Sequence, residues 1–138
     1  MLSDMRHNTL KIGGWVVEFL FAIDTYDKDL ILEYLEEFEA ETDVISAIED
    51  LISSKKYNCG FTFSNSNIKR ALVVTGPVSS SKQFVNTLSH EMHHLAVAIA
   101  ESLGYDLDSE VPAYVAGDAT MELIETICEL GCHRCNRL

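Results

Sequence analysis

Hydrophobic and polar positions follow two different periods along this chain, and the changes of period mark its predicted elements. Within Trp15–Phe21 every second residue is apolar, which is typical of a strand with one buried face. Within Asp27–Glu41 apolar residues recur at three- and four-residue steps, which predicts an amphipathic helix. A second helix is expected to run to Ser53, with Thr42 or Asp43 as its N-cap.

In the middle of the chain the pattern of apolar residues becomes typical of strands again. Two β-rich segments, Cys59–Ser64 and Ile68–Thr75, flank Asn65-Ser66-Asn67, whose turn-forming residues predict an antiparallel hairpin. Met1–Thr9 shows neither period and is expected to be a loose start. The pattern therefore predicts about three strands.

Two long helices are predicted after the hairpin. Ser80, with Gln83 three residues later, forms a capping box, so a helix is expected from there to about Leu103. Gly104 follows directly and is a typical helix stop. The last helix is expected to cover about Ser109–Leu130.

Composition and charge narrow the class of protein. The 138 residues, of which 47% are hydrophobic and 23% charged, predict one folded domain over residues 1–138. Its elements predict an α+β fold, in which a small antiparallel or mixed sheet of about three strands packs with four helices.

The net charge of −12 argues against nucleic acid and anionic membrane surfaces as partners, because phosphate binding depends on Lys and Arg. No apolar run is long enough to span a bilayer and the start lacks a basic signal-peptide region, so a cytoplasmic location is expected.

The segment His90–His94, with the sequence HEMHH, lies in the middle of the first long helix. At about 100° per residue, His90 and His94 fall together on one flank of its apolar stripe, whereas His93 points away from the core. Two imidazoles four residues apart on a helix converge on one point, as a tetrahedral zinc ion requires. Glu91 lies beside them, where its carboxylate can accept a proton from a water molecule that attacks a carbonyl group.

This motif, on a helix that is followed by a second helix with a glutamate at its start, resembles the gluzincin-type zinc metallopeptidases over roughly Ser80–Leu130. In that family a glutamate on the following helix is the third protein ligand of Zn²⁺, which implies Glu110 here, with Asp106 and Asp108 as alternatives. The resemblance implies zinc-dependent hydrolysis of a peptide or protein substrate, with Glu91 as general base. The metzincin pattern does not fit, because Leu95–Glu101 contains no third histidine.

Other parts of the family pattern have several candidates in this sequence. Ala113 and Gly117 share the predicted face of Glu110, and such small residues are expected to let its helix approach the histidine helix closely. Peptidase substrates pair with an edge strand, for which Lys69–Thr75 is one choice, although it is equally suited to the interior of the sheet. Candidates for stabilising the oxyanion are Tyr105, Tyr114 and His133, and candidates for orienting the metal ligands are Asp118 and Glu122.

Three of the four cysteines crowd the C-terminal end of the chain. Cys128, Cys132 and Cys135, together with His133, have the spacing of half a structural zinc site, for which Cys59 is a candidate fourth ligand. The alternatives are a core position for Cys128 followed by a loose tail, or a tail that covers the catalytic cleft. The alternative to catalysis as a whole is an inert or highly specific binding or regulatory module on a peptidase-like scaffold.

Overall fold

The architecture is known from a computed structural model that describes residues 5–24, 27–54 and 60–135, and from residue 132 onward the backbone alone. The described residues contain four strands and five helices, so the α+β prediction is confirmed with one more strand and one more helix than expected. In chain order they are β1 (Arg6–Ile12), β2 (Trp15–Phe21), α1 (Lys28–Glu37), α2 (Thr42–Ser53), β3 (Phe61–Asn65), β4 (Arg70–Val74), α3 (Ser81–Ser102), α4 (Val111–Glu122) and α5 (Ile124–Cys135).

The four strands form one mixed sheet in the order β1-β2-β4-β3. β1 is antiparallel to β2, β2 is parallel to β4, and β3 is antiparallel to β4. The predicted hairpin is therefore confirmed, with Phe61 opposite Val74 and Asn65 opposite Arg70. Lys69–Thr75 contributes the interior strand β4, so the edge position considered for it is wrong, and the strand at that edge is β3.

A strand occupies part of the segment that was expected to be a loose start. β1 pairs along its whole length with β2 and is joined to it by the turn Gly13-Gly14. Both glycines have positive φ angles, 57° and 84°, which glycine adopts readily and which a two-residue hairpin turn needs. This glycine pair is the sequence signal for β1, and the polar residues of the strand hide its periodicity.

Two hydrophobic cores lie on opposite faces of the sheet. The alternating apolar side chains of β2, including Trp15, Val17 and Phe19, are fully buried on the face that is covered by α3, α4 and α5. Leu20 and Leu72 lie in the second core, which α1 and α2 cover. The sheet therefore lies between two helical layers, and α3 is pressed against it by the first core.

The ends of α3 follow the signals in the sequence. The Ser80 hydroxyl accepts a hydrogen bond from the Gln83 N–H at 3.1 Å, which satisfies one of the free donors in the first turn. The helix ends just before Gly104, whose φ is 81°. No helix in the described ranges combines the length and the apolar character needed to cross a membrane.

The predicted last helix is interrupted at Leu123, between α4 and α5. One turn before the break, the Thr120 hydroxyl donates to the Ala116 carbonyl at 2.7 Å, a bond that tends to bend helices. Leu123 and Leu130 are both buried in the core that α3 also contributes to. Neither glycine nor proline marks the break, so the sequence carries no local signal for it.

We expect the substitution Leu95→Ala to test how firmly α3 is held on the sheet. Leu95 is fully buried, and truncation of a buried leucine costs about 2–5 kcal/mol of unfolding free energy. Val85→Ala is the control on the same helix, because Val85 is 53% exposed, and its effect should stay within about 0.5 kcal/mol. Urea denaturation followed by circular dichroism measures both, and equally small effects would contradict this packing of α3.

Candidate metal centre

Three side chains of α3 come together on one flank of the helix. The Nε2 atoms of His90 and His94 are 3.2 Å apart. With a carboxylate oxygen of Glu91 they form a group in which one potential ligand atom from each residue lies within 4.8 Å of the others. Within the described ranges this is the one group of three or more such residues. The predicted convergence of His90 and His94 is confirmed.

The seating of α3 explains why these side chains converge. Leu88, Leu95 and Ile99 are buried against the sheet, so the rotation of the helix about its axis is fixed. The four-residue spacing then places both His90 and His94 on the adjacent exposed flank. Their rings meet edge to face, with centroids 4.7 Å apart and an interplanar angle of 84°.

The distance between the two imidazole nitrogens is suited to a shared metal ion. Two nitrogens that each lie about 2.0–2.1 Å from a tetrahedral zinc ion are about 3.3–3.4 Å apart. The observed separation of 3.2 Å between His90 and His94 is close to this value. The same contact also suits a hydrogen bond in which one neutral ring donates and the other accepts. In both arrangements the two nitrogens lie at about the observed distance, so the spacing is compatible with a shared metal ion.

Glu91 is buried, unlike the two histidines beside it. The residue is 4% exposed, and its Oε1 accepts a hydrogen bond from the Thr62 hydroxyl at 3.0 Å. Among the described residues no basic side chain forms an ion pair with it. Burial of a carboxylate without a basic partner is unfavourable. A cation between Glu91 and the histidine pair would compensate this charge, so the donor set fits a metal ion.

The contact between α3 and β3 involves residues that the sequence analysis did not single out. Thr62 lies 29 positions before Glu91, and only tertiary packing brings them together. Gly60 precedes β3, and a Cβ atom there would lie 2.3 Å from the Val74 carbonyl oxygen and 3.1 Å from Cγ of Glu91. Glycine is therefore required for this approach. A glycine next to a strand is a known sign of close backbone contact, and it is the one signal that the sequence offers for this wall of the site.

Glu110 lies outside the group that contains the histidines. It is exposed at the N-cap position of α4, and its Oε2 accepts a hydrogen bond from the Tyr114 hydroxyl at 3.2 Å. The structure thus brings His90 and His94 together with Glu91 and does not bring Glu110 to them. As a metal ligand Glu110 stays a prediction.

The position of α4 accounts for the separation. A groove of about 560 Å³ runs between α3 and α4, lined on the α3 side by Met92, His93 and Ala96. Ala113 and Gly117 line it on the α4 side, and a Cβ atom on Gly117 would meet no heavy atom within 4 Å. The two helices nevertheless pack directly against each other, with Val115 and Ala119 of α4 in the same core as α3, so the expected close approach is confirmed, although Gly117 itself is not at the contact. α4 faces the flank that carries His93, whereas Glu91 faces β3 on the other side.

The remaining candidates lie at the surface or outside the described residues. Cys128 is exposed, so a core position for it is wrong. Exposed as well are Tyr105, Asp106, Asp108, Tyr114, Asp118 and Glu122. Outside the described residues lie Cys59 and the side chains of Cys132, His133 and Cys135.

No protein-family model matches this chain, and comparisons with curated proteins and with solved structures also give no match. The side chains of α3 and β3 are therefore the basis for inferring its chemistry.

We expect the untagged protein to bind one zinc ion per chain through His90 and His94. His94→Ala should weaken zinc binding by more than the roughly 10–100-fold that is typical for loss of a group behind a ligand, because a ligand itself is removed. His93→Ala is the matched control, since His93 lies on the same helix outside the group, and it should bind zinc like the wild type. Competition with a chromophoric chelator measures the dissociation constants. Equal effects of the two substitutions would contradict the assignment.

Proposed function

We propose that this protein is a zinc-dependent hydrolase of peptide bonds, with a site of the gluzincin type. The observation that carries the proposal is the 3.2 Å separation of the His90 and His94 nitrogens, with the Glu91 carboxylate within 4.8 Å of both. Two imidazoles and a carboxylate in this order on one helix are the parts needed to bind a metal and to move a proton beside it.

In the proposed reaction each side chain of the group has one role. His90 and His94 hold the metal ion. Zinc, when bound, lowers the pKa of water and polarises the carbonyl group of the substrate. Glu91 accepts the proton of the attacking water and transfers it to the leaving amine. Its Oε1 is held by Thr62, and the described residues provide no hydrogen-bond partner for its Oε2, which leaves that oxygen for proton transfer.

The strand beside Glu91 supports a peptide as the substrate. Among the described strands β3 lies at the edge of the sheet and pairs with β4 alone. An extended peptide can add to such an edge through main-chain hydrogen bonds. Because Thr62 of β3 contacts Glu91, a peptide bound along this edge would pass close to the proposed base.

A binding or regulatory module that does not cleave its partner is the second candidate. The observation in its favour is that Glu110 is hydrogen-bonded to Tyr114 and lies outside the group of His90 and His94. A protein that binds zinc but hydrolyses no member of a broad peptide library would support this candidate over the hydrolase.

We expect Glu91→Gln to retain zinc and to lose hydrolysis. The amide cannot accept the proton, and loss of a general base typically lowers the rate by about 10²–10⁴-fold. Glu101→Gln is the control, because Glu101 is an exposed acid on the same helix outside the group. The rate constant kcat for a fluorogenic peptide and the zinc content are measured for both. Wild-type activity in Glu91→Gln would refute the role of this residue.

We also propose Glu110 as the third protein ligand, which requires a shift of the first turn of α4 and loss of the Tyr114 hydrogen bond. Glu110→Gln should then weaken zinc binding more than about tenfold, as removal of a charged oxygen ligand predicts. Glu125→Gln, an exposed acid in the first turn of α5, is the control and should bind zinc normally. Unchanged zinc affinity in Glu110→Gln would leave a site with two histidines and no Glu110.

A further inference from the structure

We infer that Thr62 is a positioning residue, which holds the Glu91 carboxylate in the orientation that proton transfer needs. The inference rests on the proposed hydrolase function, in which Glu91 is the base. Thr62 belongs to β3, so it acts from the sheet on a side chain of α3.

The Thr62 hydroxyl contacts Glu91 at two points. It lies 3.0 Å from Oε1 of the side chain and 3.1 Å from the carbonyl oxygen of the same residue. A hydroxyl group has one hydrogen to donate, so the two acceptors of Glu91 share it. Since one group touches both the main chain and the end of the side chain, it fixes the carboxylate relative to the helix axis.

The position of Thr62 is itself fixed by the sheet. Thr62 is opposite Val73 in the pairing of β3 with β4, and β4 is an interior strand. Gly60 allows this part of the chain to approach α3, because a Cβ atom there would come within 3.1 Å of Glu91 and 3.2 Å of Thr87. The Glu91 side chain therefore packs against the backbone around β3. If the Thr62 hydroxyl is removed, a water molecule cannot easily take its place as the donor to Glu91.

A neutral donor at this position suits a base better than a cation would. A lysine or arginine side chain would hold the carboxylate firmly, but it would also stabilise the charged form and make Glu91 a poorer proton acceptor. A hydroxyl orients one oxygen through a hydrogen bond and leaves the charge of the group in place. Thr62 thus supplies direction without neutralising the base.

Substitutions at Thr62 test the inference, with a threonine of the opposite edge strand as control. Thr62→Val keeps the shape of the side chain and removes the hydroxyl, and Thr62→Ser keeps the hydroxyl. Thr9→Val is the matched control, because the Thr9 hydroxyl also donates to a carboxylate, that of Glu18 at 2.6 Å, on β1 and β2. Thermal denaturation of every variant shows which of them are folded.

We expect Thr62→Val to lower kcat about 10–100-fold, since small errors in the placement of a catalytic group are costly in rate. Its KM and its dissociation constant for zinc should stay within about threefold of wild type, because neither substrate nor metal contacts are assigned to this hydroxyl. Thr62→Ser should retain most of kcat, and Thr9→Val should match the wild type. An active wild type with unchanged kcat in Thr62→Val would overturn the inference.

A second measurement does not depend on hydrolysis. In zinc-free protein, ¹³C relaxation of the Glu91 side chain should show increased mobility in Thr62→Val and wild-type order in Thr62→Ser and Thr9→Val. Unchanged order of Glu91 in folded Thr62→Val overturns the inference, whatever the wild type hydrolyses. A wild type without zinc-dependent hydrolysis overturns the proposed function instead, so the two failures are distinguishable.

Discussion

The burial of one face of α3 against the sheet is the constraint on which the candidate site depends. Leu88, Leu95 and Ile99 lie in the core beneath the helix, and each fully buried side chain of this kind contributes about 1.5–3 kcal/mol. Rotation of α3 by one residue, about 100°, would expose this face and bury the histidines. The directions of His90 and His94 are therefore set by hydrophobic contacts spread along the helix and not by the histidines themselves.

The same seating forces Glu91 into the interior, where hydrophobic packing and the solvation of charge oppose each other. The helix cannot lift this carboxylate into water without giving up the contacts of its neighbour Met92, which is 4% exposed. The single hydroxyl of Thr62 satisfies one oxygen, and a hydrogen bond to a charged group is worth about 1.5–3 kcal/mol, less than an isolated buried charge costs. A bound cation would compensate the charge of Glu91, and the group it forms with His90 and His94 could hold such an ion.

Local signals in the sequence were sufficient to predict those features that depend only on residues close together in the chain. The cap at Ser80, the stop at Gly104 and the four-residue spacing of His90 and His94 depend on neighbours within about one helical turn, and the structure has each as predicted. The contact of Thr62 with Glu91 instead joins residues that are 29 positions apart in sequence. Apart from Gly60, no residue at this contact carries a local signal for it, and for that reason the wall of the site formed by β3 was not predicted.

The two sides of the histidine pair differ in the carboxylates that they offer to a metal ion. On the β3 side the nearest carboxylate is that of Glu91, and one of its oxygens is already bonded to Thr62. On the other side α4 packs against α3, and the groove along their junction is lined by His93 and not by His90 or His94. Glu91 cannot coordinate the metal and accept a proton through the same remaining oxygen. In the proposed mechanism a base at Glu91 therefore needs a separate third ligand, the role proposed for Glu110. Under the proposed function, whether Glu110 coordinates the metal therefore distinguishes the hydrolase from the binding module.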